Sequence, residues 1–381
     1  MSTEREMKRT ILAVTLSLVA IILISAFAAL HWLNTPPKNS EFYVGVEAAY
    51  TNTNTSDIRE MVDKVKNYTN LFVIGSIELT FNETALNESC DYIYGAGLKI
   101  VVLFTDATKY NYDTLTWLTQ AKQKYGDQFL GVYRYDEPGG DQLENKDLRF
   151  VKNTTNYANT AANYTKILRD HVDYYVNSTD RIFTADYGLY WWDYKTNYTA
   201  IFAEFVGNQS RQRHIALCRG TAQAHDKSWG AIVTWKYDDA PYLEDGTELY
   251  DDLKLAYVAG AKYLIVFNYP KIGPYGTLTD DRLDALKRFW DYSHSNPQAF
   301  GSTKASVAYV LPKDYGFGLR SADDTIWGLF PADELSAKVW NDVNKFISQY
   351  GSGFDILYDD VEFPAVRNLY SRVIFWNETV T

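Results

Sequence analysis

The stretch LKIVVLFTDATKYNYDTLTWLTQAKQKYGDQFLGVYRYDEPGG, residues 98–140, contains a complete structural repeat. An apolar run of strand length, Lys99–Phe104, is followed by a helical segment, DTLTWLTQAKQKYG. A second apolar run, FLGVYRY, then ends on the acidic pair Asp136–Glu137 and breaks at Pro138. Two buried strands joined by a helix predict a parallel pair, because parallel strands need a long crossover whereas antiparallel ones close through a tight turn.

The same rhythm extends in both directions. Upstream, FYVGVEAAY precedes SDIREMVDKVKNYT, and LFVIGSIELTF precedes ALNESCDYIYGAG. Downstream come a helix at NYTKILRDHVDYYV, the strand RIFTADYGLYWW, helices at IFAEFV and RQRHIALCRGTAQAHDK, and the strand WGAIVTWKY. The helix ELYDDLKLAYVAG, the strand YLIVFNYP and the helix DDRLDALKRFWDYS complete the series. Seven strands are clear, and an eighth is expected between Tyr187 and His214, at RHIALCR if that segment is extended. Residues 41 to 293 then match the roughly 250 residues of an α/β (β/α)8 TIM barrel. An open doubly wound sheet would place a glycine-rich phosphate turn after its first strand, and FYVGVEA is followed by none.

Barrel strands carry the active site at their C-terminal ends. Those ends hold Glu47, Glu78, Asp106, Asp136 with Glu137, Asp186, Lys236 with Asp238, and Asn268. Between them lie Tyr50, Tyr135, Tyr187, Trp191, Trp192, Trp235, Tyr237 and Tyr269, flat amphipathic surfaces suited to sugar rings. Carboxylates and aromatics around one cleft point to carbohydrate. The competing reading is that aromatics are abundant in a chain with 31 tyrosines, and that some of the acids pair with Arg134, Lys236 or Arg219.

The segment FLGVYRYDEP resembles the fourth-strand motif of clan A glycoside hydrolases, and that resemblance assigns the general acid/base to Glu137. Residues 304 to 376 resemble the flavodoxin- or amidotransferase-like domain appended to the barrel of family 42 β-galactosidases. The chain departs from the clan at the seventh strand, where the resemblance implies a nucleophilic glutamate and the sequence has Thr234, Trp235 and Lys236. The asparagine that usually precedes the acid/base is Asp136 here.

Glycoside hydrolysis requires a second carboxyl, and the candidates are Asp238, Glu78, Asp186 and Glu47. Asp136 is expected to point away from Glu137, because successive strand residues face opposite sides; its service would be to raise the pKa of Glu137 by repulsion. Substrate-binding candidates are Glu47, Asp136, Tyr135, Arg134, Tyr187, Trp191, Trp235, Lys236, Tyr237 and Asn268. Lys236 at the nucleophile's usual place hints at an acidic sugar.

Residues 11 to 30, ILAVTLSLVAIILISAFAAL, carry no charge and follow Arg5, Lys8 and Arg9, which predicts a membrane-spanning anchor with its N-terminus inside. A cleaved signal peptide ending near Ala26-Phe27-Ala28 is the alternative, and both export the domain. The expected organisation is a cytoplasmic N-terminus at 1–10, an anchor at 11–33, a linker at 34–40, the barrel at 41–300 and a C-terminal α/β unit at 301–381. That unit is too small for a large core of its own, so it is expected to pack on the barrel or to make a homo-oligomer contact.

Export agrees with ten Asn-x-Ser/Thr sequons, at Asn54, Asn67, Asn82, Asn87, Asn153, Asn163, Asn177, Asn197, Asn208 and Asn377. A net charge of −11 without a basic block argues against nucleic acid as a partner. Cys90 and Cys218 fall in predicted helices and predict no essential disulfide. Five histidines without ligand spacing imply no metal, and no cofactor is expected. Three functions are compatible with these residues: an exported glycoside hydrolase, a sugar-binding barrel that has lost its nucleophile, and a structural envelope glycoprotein.

Overall fold

A computed structural model of the chain describes residues 42–49, 54–237, 243–268 and 278–379. The expected linker, Tyr50, Asp238, Tyr269 and the apolar stretch 11–30 lie outside them. Among the described residues no helix is long and apolar enough to cross a membrane.

Eight parallel strands close into a barrel in sequential order: β1 (Tyr43–Ala49), β2 (Leu71–Gly75), β3 (Lys99–Phe104), β4 (Phe129–Arg134), β5 (Ile182–Asp186), β6 (Ala200–Phe205), β7 (Ser228–Val233) and β8 (Tyr263–Asn268). The helices that follow them in turn are α1 (Thr55–Val65), α2 (Glu83–Gly95), α3 (Thr114–Tyr125), α4 (Tyr157–Val176), α5 (Tyr190–Asp193), α6 (Arg211–Ala224), α7 (Gly246–Val258) and α8 (Asp280–Ser295). Short helices at Ile77–Thr80 and Pro138–Glu144 are added after β2 and β4. Side-chain caps start most of the long helices. Asn54, Asp113, Ser210 and Asp245 each accept a backbone N–H of the first turn, which satisfies donors a helix start leaves open.

The eighth strand is β6, AIFAEF, and not RHIALCR, which lies within α6. A six-residue apolar run has no period that separates a buried strand from a helix, and IFAEFV was expected to be helical for that reason. Helix α6 is buried on every side because it lies between the barrel and the C-terminal unit, so its sequence shows none of the polar stripe of a surface helix. The expected strand RIFTADYGLYWW also ends early, at Asp186, and its YWWD becomes the single turn α5.

The barrel interior is a plug of alternate strand residues. Tyr43 stacks on Tyr263 with ring centres 5.1 Å apart, and Phe183 on Phe202 at 5.6 Å. Gly45 and Gly230 make room for it: a Cβ at Gly45 would stand 2.2 Å from the Leu71 carbonyl oxygen, and one at Gly230 2.7 Å from Tyr263.

The C-terminal residues form a three-stranded parallel sheet, β9 (Val307–Leu311), β10 (Phe354–Tyr358) and β11 (Arg372–Phe375), in the order β10-β9-β11, with helix α9 (Glu334–Tyr350). The sheet is smaller than the expected flavodoxin-like domain and forms one compact unit with the barrel. Its docking surface lies where the barrel has only one turn after β5. Trp192 of α5 packs at 4.5 Å from Trp327 and 4.7 Å from Tyr358. Beside it, the Arg219 guanidinium of α6 pairs with buried Asp355 at 2.9 Å and donates to the carbonyls of Ser352, Phe354 and Thr303. Cys90 and Cys218 are free and buried in α2 and α6.

Candidate active site

The sequence DEP does not continue the alternation of β4. The strand ends at Arg134, and Tyr135 (φ 59°) and Glu137 (φ 50°) both take left-handed backbone conformations, uncommon for residues other than glycine. Strained backbone persists where surrounding structure over-determines it. Here β5 holds it: Thr184 Oγ1 donates to the Tyr135 carbonyl, Glu137 N–H donates to the Ala185 carbonyl, and the Asp186 carboxylate accepts from Gly140 N at 3.0 Å and from Gly139 N. Asp136 and Glu137 both act on the charge of Glu47 and Glu204. The expected opposition of the pair therefore does not occur.

Both acids meet carboxyls from the barrel interior. Glu47 on β1 and Glu204 on β6 fall on the inward parity of their strands, Glu47 with Tyr43 and Glu204 with Ala200 and Phe202. The Glu137 and Glu204 carboxyls stand close enough to share a hydrogen bond, which they can make only when one of them is protonated. Burial and then the charge of Asp136 push the Glu137 carboxyl up to about 8. Burial and then Glu137 drive that of Glu204 well above the usual range. Burial, followed by Asp136 and Glu137, does the same to Glu47.

Asp136 stands at the floor of the cleft, reached by solvent but enclosed by protein atoms. That enclosure raises it to about 6, against the pull of the Tyr133 hydroxyl that donates to its Oδ1. Tyr133 Oη accepts from Ala185 N at 3.0 Å, which fixes that donation. The cluster thus pairs a proton-holding couple with a neighbouring carboxyl that ionises first.

A cavity of about 530 Å³ opens from this cluster toward the β1–β4 side of the mouth. Glu47, Gly75, Asp136 and Phe267 form its inner wall, and Glu78, Asp106, Arg134, Tyr135, Asp141 and His171 also line it. Glu78 and Asp106 are exposed rim residues. Tyr135 is half-buried, its hydroxyl donating to Asp141 at 3.3 Å and its ring 4.8 Å from Phe150. Tyr187 packs over Gly140 within the field of Glu137.

Several expected site residues stand elsewhere. Asp186 is on the outward parity of β5 and wholly buried. Besides the two glycine amides it accepts from Tyr187 N and Gly188 N, and it stands beside the Asp193 carboxyl, which burial and then Asp186 hold well above the usual range, so it braces the DEP turn. Trp191, 1% exposed, packs on Tyr358 and offers no sugar platform. Lys236 pairs with Glu248 of α7 at 2.5 Å, and Tyr237 donates to the same carboxylate, which draws the cation away from the barrel axis. Asn268, on the outward face of β8, accepts from Leu278 N. Trp235 lies 5.5 Å from Phe267 at the mouth. Thr234 takes the inward position at the end of β7 where the resemblance implied a nucleophile. Glu204 lies on a strand whose sequence has the look of a helix; the alternation of Ala200, Phe202 and Glu204 is the signal that identifies it.

Asp136 (about 6), Asp186 (about 7) and Glu137 (about 8) all lie above their ordinary values of roughly 4. Between about pH 4 and 8 the folded chain therefore binds more protons than the unfolded one, and stability falls as pH rises through that window. Asp360 acts oppositely: its salt bridges lower it to about 2, so its contribution is lost only below about pH 4. The melting temperature is expected to peak near pH 5 and to fall toward pH 8. A flat or rising curve would contradict the protonated cluster.

No family model matches the chain, and no curated protein matches it. Solved structures with a similar fold include alpha-L-fucosidase isoenzyme 2 from Paenibacillus thiaminolyticus, at 11% identity and TM-score 0.49, covering 87% of this chain and 59% of that one. The GH99 endo-alpha-mannosidase from Bacteroides thetaiotaomicron is 14% identical with TM-score 0.40, covering 66% and 82%. A beta-1,4-D-mannanase from Cryptopygus antarcticus is 13% identical with TM-score 0.44, covering 65% and 90%. The chain spans only 59% of the length of the fucosidase.

Proposed function

We propose that the protein hydrolyses a glycan, with Glu137 as general acid and Asp136 as the ionised carboxylate. The observation that carries this reading is the gathering of Glu137, Glu204 and Asp136 at the end of the barrel, each acting on the others' charge. It sets a carboxyl pushed up to about 8 next to one that ionises near 6 and lines the cavity, the two kinds of group glycosidic cleavage needs. The leaving oxygen takes the Glu137 proton as the glycosidic bond breaks, and Asp136 removes a proton from the attacking water.

Glu204 acts as a positioning residue: its donated hydrogen bond opposes the upward push on Glu137. Glu204→Ala should move the alkaline limb of kcat/KM to higher pH and lower kcat by about tenfold, with Glu204→Gln restoring the limb because its amide still donates. An unmoved limb would remove Glu204 from the mechanism. Turnover is to be sought on a panel of neutral, acidic and amino oligosaccharides by product separation.

A second reading, a sugar-binding barrel without turnover, is favoured by Thr234 at the end of β7. Binding of an oligosaccharide that is never cleaved would establish it.

The barrel works outside the cytoplasm, tethered through residues 11–30, and carries N-linked glycans. Supporting this, nine of the ten sequon asparagines are exposed; the exception is Asn87, half-buried, whose side chain accepts from Trp117 Nε1 at 2.8 Å.

A further inference from the structure

Glu47 is 5% exposed and makes no hydrogen bond or ion pair with any described residue. A buried polar group without a partner is costly. Its side chain lies against Gly75, where a Cβ would stand 2.0 Å from Oε1, so the absence of a side chain at the end of β2 is what gives the carboxyl its place. Glu47 and Gly75 both line the 530 Å³ cavity, so the unpartnered group faces the space a ligand would occupy.

The surroundings define the ligand's charge. Asp136 and Glu137 both act on Glu47 by repulsion. A cation placed among them offsets the repulsion that Glu47 would meet on ionising beside Asp136, which neither a neutral nor an anionic group does. Glu78, Asp106 and Asp141 add three more acids to the lining. Against them stand Lys109, exposed at the rim, and Arg134, whose guanidinium donates to the Phe104 carbonyl and lies 5.8 Å from the Tyr175 ring centre. With Lys236 held by Glu248, the cation that suggested an acidic sugar is engaged outside the barrel. Ile77, Leu103 and Phe267 in the same lining give apolar surface that suits an organic cation.

We propose that this cavity binds a glycan carrying a protonated amino group, an unacetylated amino sugar, with Glu47 as the ion partner of the ammonium. The proposal rests on the glycan reading of the site and names its substrate class. On binding, the neutral Glu47 carboxyl becomes a carboxylate paired with the ammonium, and its proton passes to solvent.

Calorimetric titration of the full chain with glucosamine oligomers, their N-acetylated counterparts and plain glucose oligomers tests it. At mildly acidic pH, where the amine is charged, the amino form should bind at least about tenfold more tightly than either neutral form. Its heat should vary with the ionisation enthalpy of the buffer, reporting the released proton. Glu47→Gln should abolish both the preference and the buffer dependence, so that the amino form binds no more tightly than the neutral ones. Equal binding of the three ligands by the wild type, or no buffer dependence, would overturn the proposal without need of a variant. Preferred binding without cleavage would preserve it and defeat the hydrolase reading; cleavage of neutral glycans without amine preference would do the reverse.

Discussion

Glu137→Gln is expected to lower turnover of the cleaved glycan on the order of 10³-fold, with little change in oligosaccharide affinity. Glutamine keeps the shape and can still accept the hydrogen bond from Glu204, so the DEP turn, held by backbone bonds to Thr184, Ala185 and Asp186, should survive. What disappears is the proton carried at a pKa pushed up to about 8 by burial and by Asp136. The wild-type kcat/KM should be bell-shaped with limbs near 6 and 8, values that belong to the coupled cluster as a whole. The variant should lose the alkaline limb. Near-full activity in Glu137→Gln, measured by product release at saturating substrate, would remove this residue from the chemistry.

Arg219→Met is expected to destabilise the fold by about 3–5 kcal/mol in denaturant unfolding, the cost of leaving a buried charge unpaired. Asp355 is fully buried, and its other partners are neutral, the Tyr370 hydroxyl at 2.9 Å and the Gln223 amide at 3.5 Å. The lost guanidinium also strips a donor from the carbonyls of Ser352, Phe354 and Thr303, so the loss falls on the contact between α6 and β10. Arg219→Met combined with Asp355→Leu should recover much of the stability, because an apolar pair of similar volume often replaces a buried ion pair without loss. A cost below about 1 kcal/mol for the single variant would show that the C-terminal sheet is not held there.

Much of the barrel was legible in the sequence because its strands are short apolar runs separated by amphipathic helices, and seven of the eight declare themselves in that way. The misreading at β6 has a physical origin. AIFAEF is buried on both faces, and its inward glutamate looks like the polar position of a helix. Helix α6 was ambiguous for the opposite reason, since the C-terminal sheet covers the face that would otherwise be polar. Glu47 and the Asp136–Glu137 pair could be placed at the mouth from strand ends alone. The orientation of Asp136 could not, because it depends on two left-handed residues that β5 stabilises from 47 to 49 positions further along the chain. Trp191 and Asp186 were misjudged for a shared reason. A strand end offers residues to both the cleft and the helix layer, and only the parity along β5 and the turn after it separate the two.

The claim on which the account rests is that the mouth of the barrel keeps a proton on Glu137 at neutral pH beside an ionised Asp136. Carboxyl ¹³C NMR titration of the protein labelled at Asp and Glu side chains measures it without any substrate, with Glu137→Gln and Asp136→Asn assigning the resonances. The expected result is one carboxyl titrating near 6 and one near 8, the latter missing from Glu137→Gln. If both groups titrate at the ordinary values of about 4, the cluster is a set of independent surface acids and the mechanism built on it is wrong.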